Sequence, residues 1–415
     1  MKNQISKRAD ELKENMILLA QSIHNYPELS GQEYYASKCH MELLAQNNFN
    51  IEYPFAGIDT AFKAVFAGKS SGPTIAYLAE YDALPNIGHG CGHDLLGAVS
   101  TVAAIALTSV IHKTGGRVVV LGCPAEESSG AKVEFVKKGA FRNVDAAMLA
   151  HPYDCFCESG SSLALEPLRF EFFGKEAHAV EYPSQGRNAL EGLVLFFHEC
   201  INLQRQLPPD IKLNGIISQG GAVANLIPDY ACGDFHLRAS TSAKLDELHE
   251  KVAAYAKHSA DSTGTTVKIS HFETPYKEMV TNQILSDCFT KNLHALNCFE
   301  IAPAMTQPFS LDMGDVSHIC PAIHPYFNVC GTSHADLHTR EFARQVNSDY
   351  AYTQGLITAK ALAFTGADLL MSSSLLQKVK AAHIPAEHDT FRKALTQNLT
   401  QNRKYPCGTN GADGR

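Results

Sequence analysis

The chain has 415 residues, 45% of them hydrophobic and 19% charged, with a formal net charge of −8. That length exceeds the roughly 250–300 residues at which single cores stop growing, so more than one domain is expected. The acidic balance and the lack of any long Lys/Arg block argue against a nucleic-acid surface. No run of about 18 apolar residues is present to cross a membrane and the first residues lack a signal-peptide core, so the expectation is a soluble, cytoplasmic protein with no membrane partner.

Apolar positions Leu12, Met16, Leu19, Ala20 and Ile23 recur at helical spacing and predict one helix from Ile5 to about Asn25. A second helix is expected from Ser30, with Glu33 three positions on as the partner in a capping box. "TAFKAVFAG" and "PTIAYLAEY" read as strands split by the turn signal "KSSGP". Residues from Leu95 to about His112 read as a buried helix, "RVVVLGC" as a buried strand, "AKVEFVKKGAF" as an amphipathic helix and "DAAMLAH" as a further strand. Alternating strands and helices imply an α/β layered domain with a largely parallel sheet, whose chemistry gathers at the strand ends.

After Ser159 the texture changes. "LEPLRFEFFG", a helix from Asn188 to about Leu207, "NGIISQGG", "YACGDFHLRAS", a helix from Ser242 to about Ala260 and "TTVKISHF" give a β-α-β-β-α-β order. The domain expectation is a first segment of the larger domain over 1–158, an inserted smaller α+β domain over 159–275 and a second segment of the larger domain over 276–415. The polar end "NRKYPCGTNGADGR" is expected to fray. In a chain this large with no export signal, the twelve cysteines read as reduced thiols. Cys39, Cys200, Cys232, Cys288, Cys298 and Cys320 stand singly among apolar neighbours, as small core residues do. Cys155 and Cys157 are too close-set for usual zinc spacing.

The decapeptide "GHGCGHDLLG" places Cys91 and His93 one glycine apart before a helix, so both can turn toward one ion. Taken alone it reads equally well as a buried thiol and a loop histidine. Asp94 falls in the first helical turn, where the helix dipole favours a carboxylate. Glu126 and Glu127 directly follow the strand "RVVVLGC"; adjacent carboxylates there point different ways, so one can bind metal while the other handles a proton. His151 closes "DAAMLAH". Of His334 and His338, the latter immediately precedes a helix start and is preferred.

Together Cys91, His93, Glu126, Glu127, His151 and His338 resemble the site of the zinc- or manganese-dependent amidohydrolase family that includes aminoacylases, glutamate carboxypeptidases and indole-acetyl-amino-acid hydrolases. The resemblance extends over most of the chain, through "HNYPELSGQE", "AEYDALP", "GHGCGHDLLG", "PAEE", "AHP", "FFGKEAHA", "GRNALEG", "VANLIPD", "DVSH" and "LHTREFA" in family order. Within it, "EYDALP" and "GHGCGHD" look most like the branch of p-aminobenzoyl-glutamate and aminoacylase-like dipeptide hydrolases.

The resemblance implies an α/β catalytic domain with an inserted ferredoxin-like lid or dimerisation domain, hence a homodimer or larger homo-oligomer. It implies that Cys91, His93, Glu127, His151 and His338 hold one or two divalent ions, zinc or manganese. Glu126 would be the general base for a water on the metal, attacking the amide of an N-acyl amino acid or dipeptide-like substrate with a free carboxylate. Asp82 would steady the metal site or the base; Glu80, where the wider family often has a histidine, is not counted a ligand. His178 would reach a neighbouring subunit's site and stabilise the oxyanion, while Asn225 and Arg238 would grip the substrate carboxylate. His89 is assigned a supporting place, and His318 and His324 none. A catalytically silent binding member of the same fold, or thiol catalysis by Cys91 with His93 or His89 as base, are the alternatives.

Overall fold

The computed structural model describes residues 1–383, and the polar C-terminal end lies outside the described residues. A six-stranded sheet forms the centre, in the order Asn50–Glu52, Phe62–Ala67, Arg117–Cys123, Thr74–Glu80, Ala146–Met148, Ala322–Ile323. The last four are mutually parallel, and Phe62–Ala67 runs antiparallel to both its neighbours, Asn50–Glu52 and Arg117–Cys123. Both faces of this sheet are covered, so its strands Thr74–Glu80 and Arg117–Cys123 are buried almost throughout and read as continuous apolar runs.

Helix His93–Thr114 lies across the sheet and packs against Asp349–Met371, Lys13–Asn25 and Lys2–Glu11. It is apolar on all sides because it is covered on all sides. By length and composition this helix could cross a membrane, contrary to the sequence expectation, but 83% of its apolar window is buried inside the protein. Its Gly97 runs so close to the end of the central strand that a Cβ there would stand 2.5 Å from the Glu80 carbonyl oxygen, so only glycine allows this approach.

Residues Ala164 to His271 form a second sheet, antiparallel throughout, ordered Ile211–Gln219, Tyr230–Ala239, Ala164–Phe173, Thr266–His271. Helices Ala189–Gln204 and Ser242–Thr263 bury Leu193, Phe196, Leu248 and Val252 against Phe170, Phe172 and Phe235 of the sheet. The Asn188 side-chain oxygen accepts from the amides of Leu190 and Glu191, and the Thr241 hydroxyl from that of Lys244. Each such cap is worth about 1 kcal/mol. This is the expected ferredoxin-like β-α-β-β-α-β order beside a parallel-rich α/β sheet.

Three local expectations are corrected. The first helix is two, Lys2–Glu11 and Lys13–Asn25, parted at Leu12. The next begins at Tyr34 rather than Ser30. "DAAMLAH" is not one strand: Ala146–Met148 belongs to the central sheet, and His151–Tyr153 pairs in a separate sheet with Tyr326–Asn328. That change of sheet is what carries His151 out of the central sheet.

Candidate metal centre

His93 opens its helix directly after Gly92, which is left-handed at φ 83° and would clash with Pro152 if it carried a Cβ. The ring is fully buried, and its Nδ1 lies 2.9 Å from Asp82 Oδ1, two residues past the central strand. With Nδ1 committed, Nε2 is the atom turned toward the site. Asp82 Oδ2 accepts from the Ser30 hydroxyl at 2.8 Å and the Glu127 amide at 3.0 Å. Burial pushes the Asp82 carboxyl up, but His93 and these donors outweigh it and hold it at about 2.

Glu126 and Glu127 leave the strand Arg117–Cys123 through Ala125, whose φ of 58° is left-handed. A non-glycine residue in that region is strained and needs external support. Glu33 supplies it: its Oε1 accepts from the Ala125 amide at 2.8 Å, and its Oε2 from the Thr60 hydroxyl at 2.9 Å. The carboxylate expected to close a capping box therefore makes no cap bond to the helix after it. It is buried instead, fixing the turn that presents the glutamate pair.

Cys91 Sγ stands 3.5 Å from His151 Nε2, while His151 Nδ1 donates to the Pro152 carbonyl at 2.7 Å. His338, also left-handed at φ 64°, is anchored by its amide on the Gly90 carbonyl and brings Nε2 to 3.3 Å from Glu127 Oε1. The donor atoms fall into three overlapping groups, each within 4.8 Å: Cys91, His93, His151; Cys91, Glu127, His338; and His93, Glu126, Glu127. All five candidate ligands and the candidate base are thus brought together, and Cys91, His93 and Glu127 are each shared by two groups.

The residues fit divalent ions. His93 Nε2 and Glu127 Oε1 are buried without a hydrogen-bond partner, a costly state that a bound cation relieves. One soft thiol, three borderline imidazoles and hard carboxylates make a mixed donor set suited to zinc and also admitting manganese. Burial pushes the Cys91 thiol well above its ordinary range and His151 down to about 4. Burial, with Glu80 and Glu127 beside it, also raises Glu126 well above the carboxylate range. Nearby positive charge is what would return Cys91 and Glu126 to their anionic forms.

A cavity of about 450 Å³ opens over these groups, walled by Tyr153, Asp154, Phe309, Ser310, Leu311, His324, Tyr326 and residues 334–338. Arg238 reaches this wall, its Nη1 donating to the Ser310 hydroxyl at 3.2 Å. His178 and Asn225 do not line the cavity; both are exposed on the paired segments Ala177–His178 and Leu226–Ile227 and their approach. The expected Asn225–Arg238 pair is therefore divided within one chain. His89 is buried beside Asp94, 4.0 Å away, outside the three groups. His318 bonds the Glu278 carbonyl.

Sequence reasoning passed over residues that line this cavity. His324 stacks on His151 with ring centroids 5.5 Å apart. His334 bridges Asp154 at 2.5 Å and Asp336 at 3.2 Å. His334 was set aside in favour of His338, and its distant partner Asp154, like the His151 ring beneath His324, is supplied by the fold.

Residues 168–264 match the family model described as a peptidase dimerisation domain. A solved Bacillus subtilis protein, described as a dinuclear metal-binding peptidase of the M20 family, superposes with a TM-score of 0.65 at 17% identity, over 88% of this chain and 99% of that one. A mouse Xaa-Arg dipeptidase is 34% identical over 400 residues, covering 92% of this chain and 91% of the relative. The chain belongs to the M20 peptidase family. This M20 peptidase is also 27% identical to a p-aminobenzoyl-glutamate hydrolase chain of Escherichia coli, over 94% of its own length and 93% of the relative. As an M20 member it is a metallo-amidohydrolase, acting on carbon–nitrogen amide bonds.

Proposed function

We propose that the protein hydrolyses dipeptide-like or N-acyl amino-acid amides bearing a free carboxylate, using divalent ions held by Cys91, His93, Glu127, His151 and His338. The observation that carries this reading is the convergence of three donor groups on one cavity floor with Glu126 beside them. A bound divalent ion supplies Lewis acidity and makes water acidic enough to be deprotonated near neutral pH. Glu126 takes the proton of the attacking water and passes it to the leaving amine. Asp82 holds the tautomer of His93, and Arg238, at the Ser310 wall, receives the substrate carboxylate. The direct test is amide hydrolysis with and without a chelator; equal rates in both would refute the role of metal.

The cavity wall supports a finer reading of the substrate. Its charged side chains beyond the candidate metal groups are Asp154 and Asp336, spanned by His334, while Arg238 meets it at the Ser310 hydroxyl. Such a wall suits a substrate carrying a guanidinium or ammonium group, in line with a relative named Xaa-Arg dipeptidase. Asp154→Asn is expected to lower kcat/KM for an Xaa-Arg dipeptide by about tenfold while sparing the isosteric citrulline dipeptide; each 1.4 kcal/mol of lost pairing is one decade. Equal losses on both substrates would argue against it.

The same family placement supports a homodimer. Ile211–Gln219 is an edge strand with Ile216 and Ile217 exposed, and the neighbouring helix Ala189–Gln204 exposes Val194, Leu195 and Ile201. An unpaired apolar edge is a template for pairing with another chain. In a dimer His178 and Asn225 would face the partner's site. Ile216→Lys is expected to shift the protein to monomer in sedimentation velocity, with hydrolysis falling in parallel.

A further inference from the structure

Lys132 has no exposed surface, yet no step above uses it. It stands in the first turn of helix Ala131–Lys137, an unfavourable place for a cation because the helix dipole is positive there. Its Nζ lies 2.6 Å from Glu80 Oε1 and 2.5 Å from Asp312 Oδ1, and its amide donates to Asp312 Oδ2 at 3.2 Å. Glu80 and Asp312 are themselves 2% and 1% exposed. Buried ion triads of this kind are seldom the most stable packing, since apolar residues of equal volume often do as well.

The placement of the two carboxylates is specific. Glu80 ends the central strand, and its second oxygen, Oε2, lies 3.4 Å from His93 Nε2, both atoms lacking a hydrogen-bond partner. Asp312 follows Phe309, Ser310 and Leu311 of the cavity wall. Glu80 is thus a carboxylate at the edge of the metal centre with one oxygen already claimed.

We propose that Lys132 is a positioning residue of the metal centre: by clamping Glu80 against Asp312, it keeps Glu80 as a counter-charge beside His93 and out of the ligand set. The inference rests on the metal-centre reading above. Freed of the clamp, Glu80 turns Oε2 toward the ion, which binds more tightly and polarises the substrate less. A merely structural lysine would not couple tighter binding to slower turnover.

Two double variants test this with the buried charge unchanged, because the triad carries a net −1 and each variant leaves one carboxylate. Lys132→Met/Asp312→Asn leaves Glu80 beside His93; Lys132→Met/Glu80→Gln leaves the charge at Asp312, further off. Zinc titrated calorimetrically into chelator-stripped protein is expected to bind the first at least about tenfold more tightly than the second, the scale on which outer partners tune metal affinity. The first is also expected to have the lower kcat. Equal affinity and equal kcat in the two variants overturn the proposal. Failure of wild-type protein to bind zinc would instead strike the metal-centre reading itself. Should the first variant not fold, Glu80→Gln alone decides. The proposal requires it to keep the wild-type number of bound ions and the wild-type cobalt absorption spectrum, and loss of an ion would make Glu80 a ligand and overturn it.

Discussion

Glu126→Gln is expected to lower kcat by about 10²–10⁴-fold, the range that a positioned general acid–base contributes, with bound metal retained. Glutamine fills the same volume and hydrogen-bonds, but it can neither take a proton from water nor return one to the departing amine. Metal retention follows from the grouping of donors. Glu126 shares only the group with His93 and Glu127, while the two groups containing Cys91 are complete without it. The backbone turn is indifferent to this side chain, being held at Ala125 by Glu33 and at Glu127 by Asp82. The check is steady-state kinetics paired with elemental analysis of the same preparation. Undiminished hydrolysis would remove Glu126 from the chemistry, and lost metal with lost activity would make it a ligand rather than the base.

The parts legible in the sequence were those whose signal is local. The alternation of apolar strands and helices from Thr74 to Met148 reported the parallel sheet, and the end of one strand picked out Glu126 and Glu127 before any contact was visible, whereas His151 was read at the end of a strand to which it does not belong. The helix starts read at Asn188 and Ser242 are local too, since the cap bonds of Asn188 and Thr241 span only two or three residues. What could not be read was long-range. Glu33 obeyed the spacing of a capping box yet bonds Ala125, 92 positions away. That partner exists only once the strand Arg117–Cys123 is in place, and the helix end is served by another residue, since the Glu28 carboxylate accepts from the Tyr35 and Ala36 amides. The triad of Glu80, Lys132 and Asp312 draws on three distant segments, and each residue looks ordinary in its own: a strand end, a helix first turn, a loop. His324 and His334 are similar, with cavity positions set by the sheet that contains Tyr326–Asn328 and by the loop after it.

Removing Cys91 should strongly damage metal binding, because its sulfur is the one thiol among the donors and, like His93 and Glu127, it is common to two donor groups. In Cys91→Ala, the group with His93 and His151 loses its third donor, and so does the group with Glu127 and His338. Metal affinity is expected to fall by more than the roughly 10–100-fold that loss of an outer-shell partner costs, and hydrolysis with it. Chelation of the wild type should abolish activity equally, and added zinc or manganese should restore the wild type while leaving the variant inactive. The same pair of measurements separates metal chemistry from a Cys91 nucleophile. A nucleophilic thiol must be available as thiolate, whereas in the metal-free site burial pushes Cys91 well above its ordinary range and outweighs the opposing pull of His93. A thiol mechanism therefore predicts a chelated enzyme that still works and is stopped by alkylation. The metal reading predicts a chelated enzyme that is already silent, and a Cys91→Asp variant that regains part of the binding, since a carboxylate can also serve as a shared anionic donor whereas it cannot replace a thiolate nucleophile.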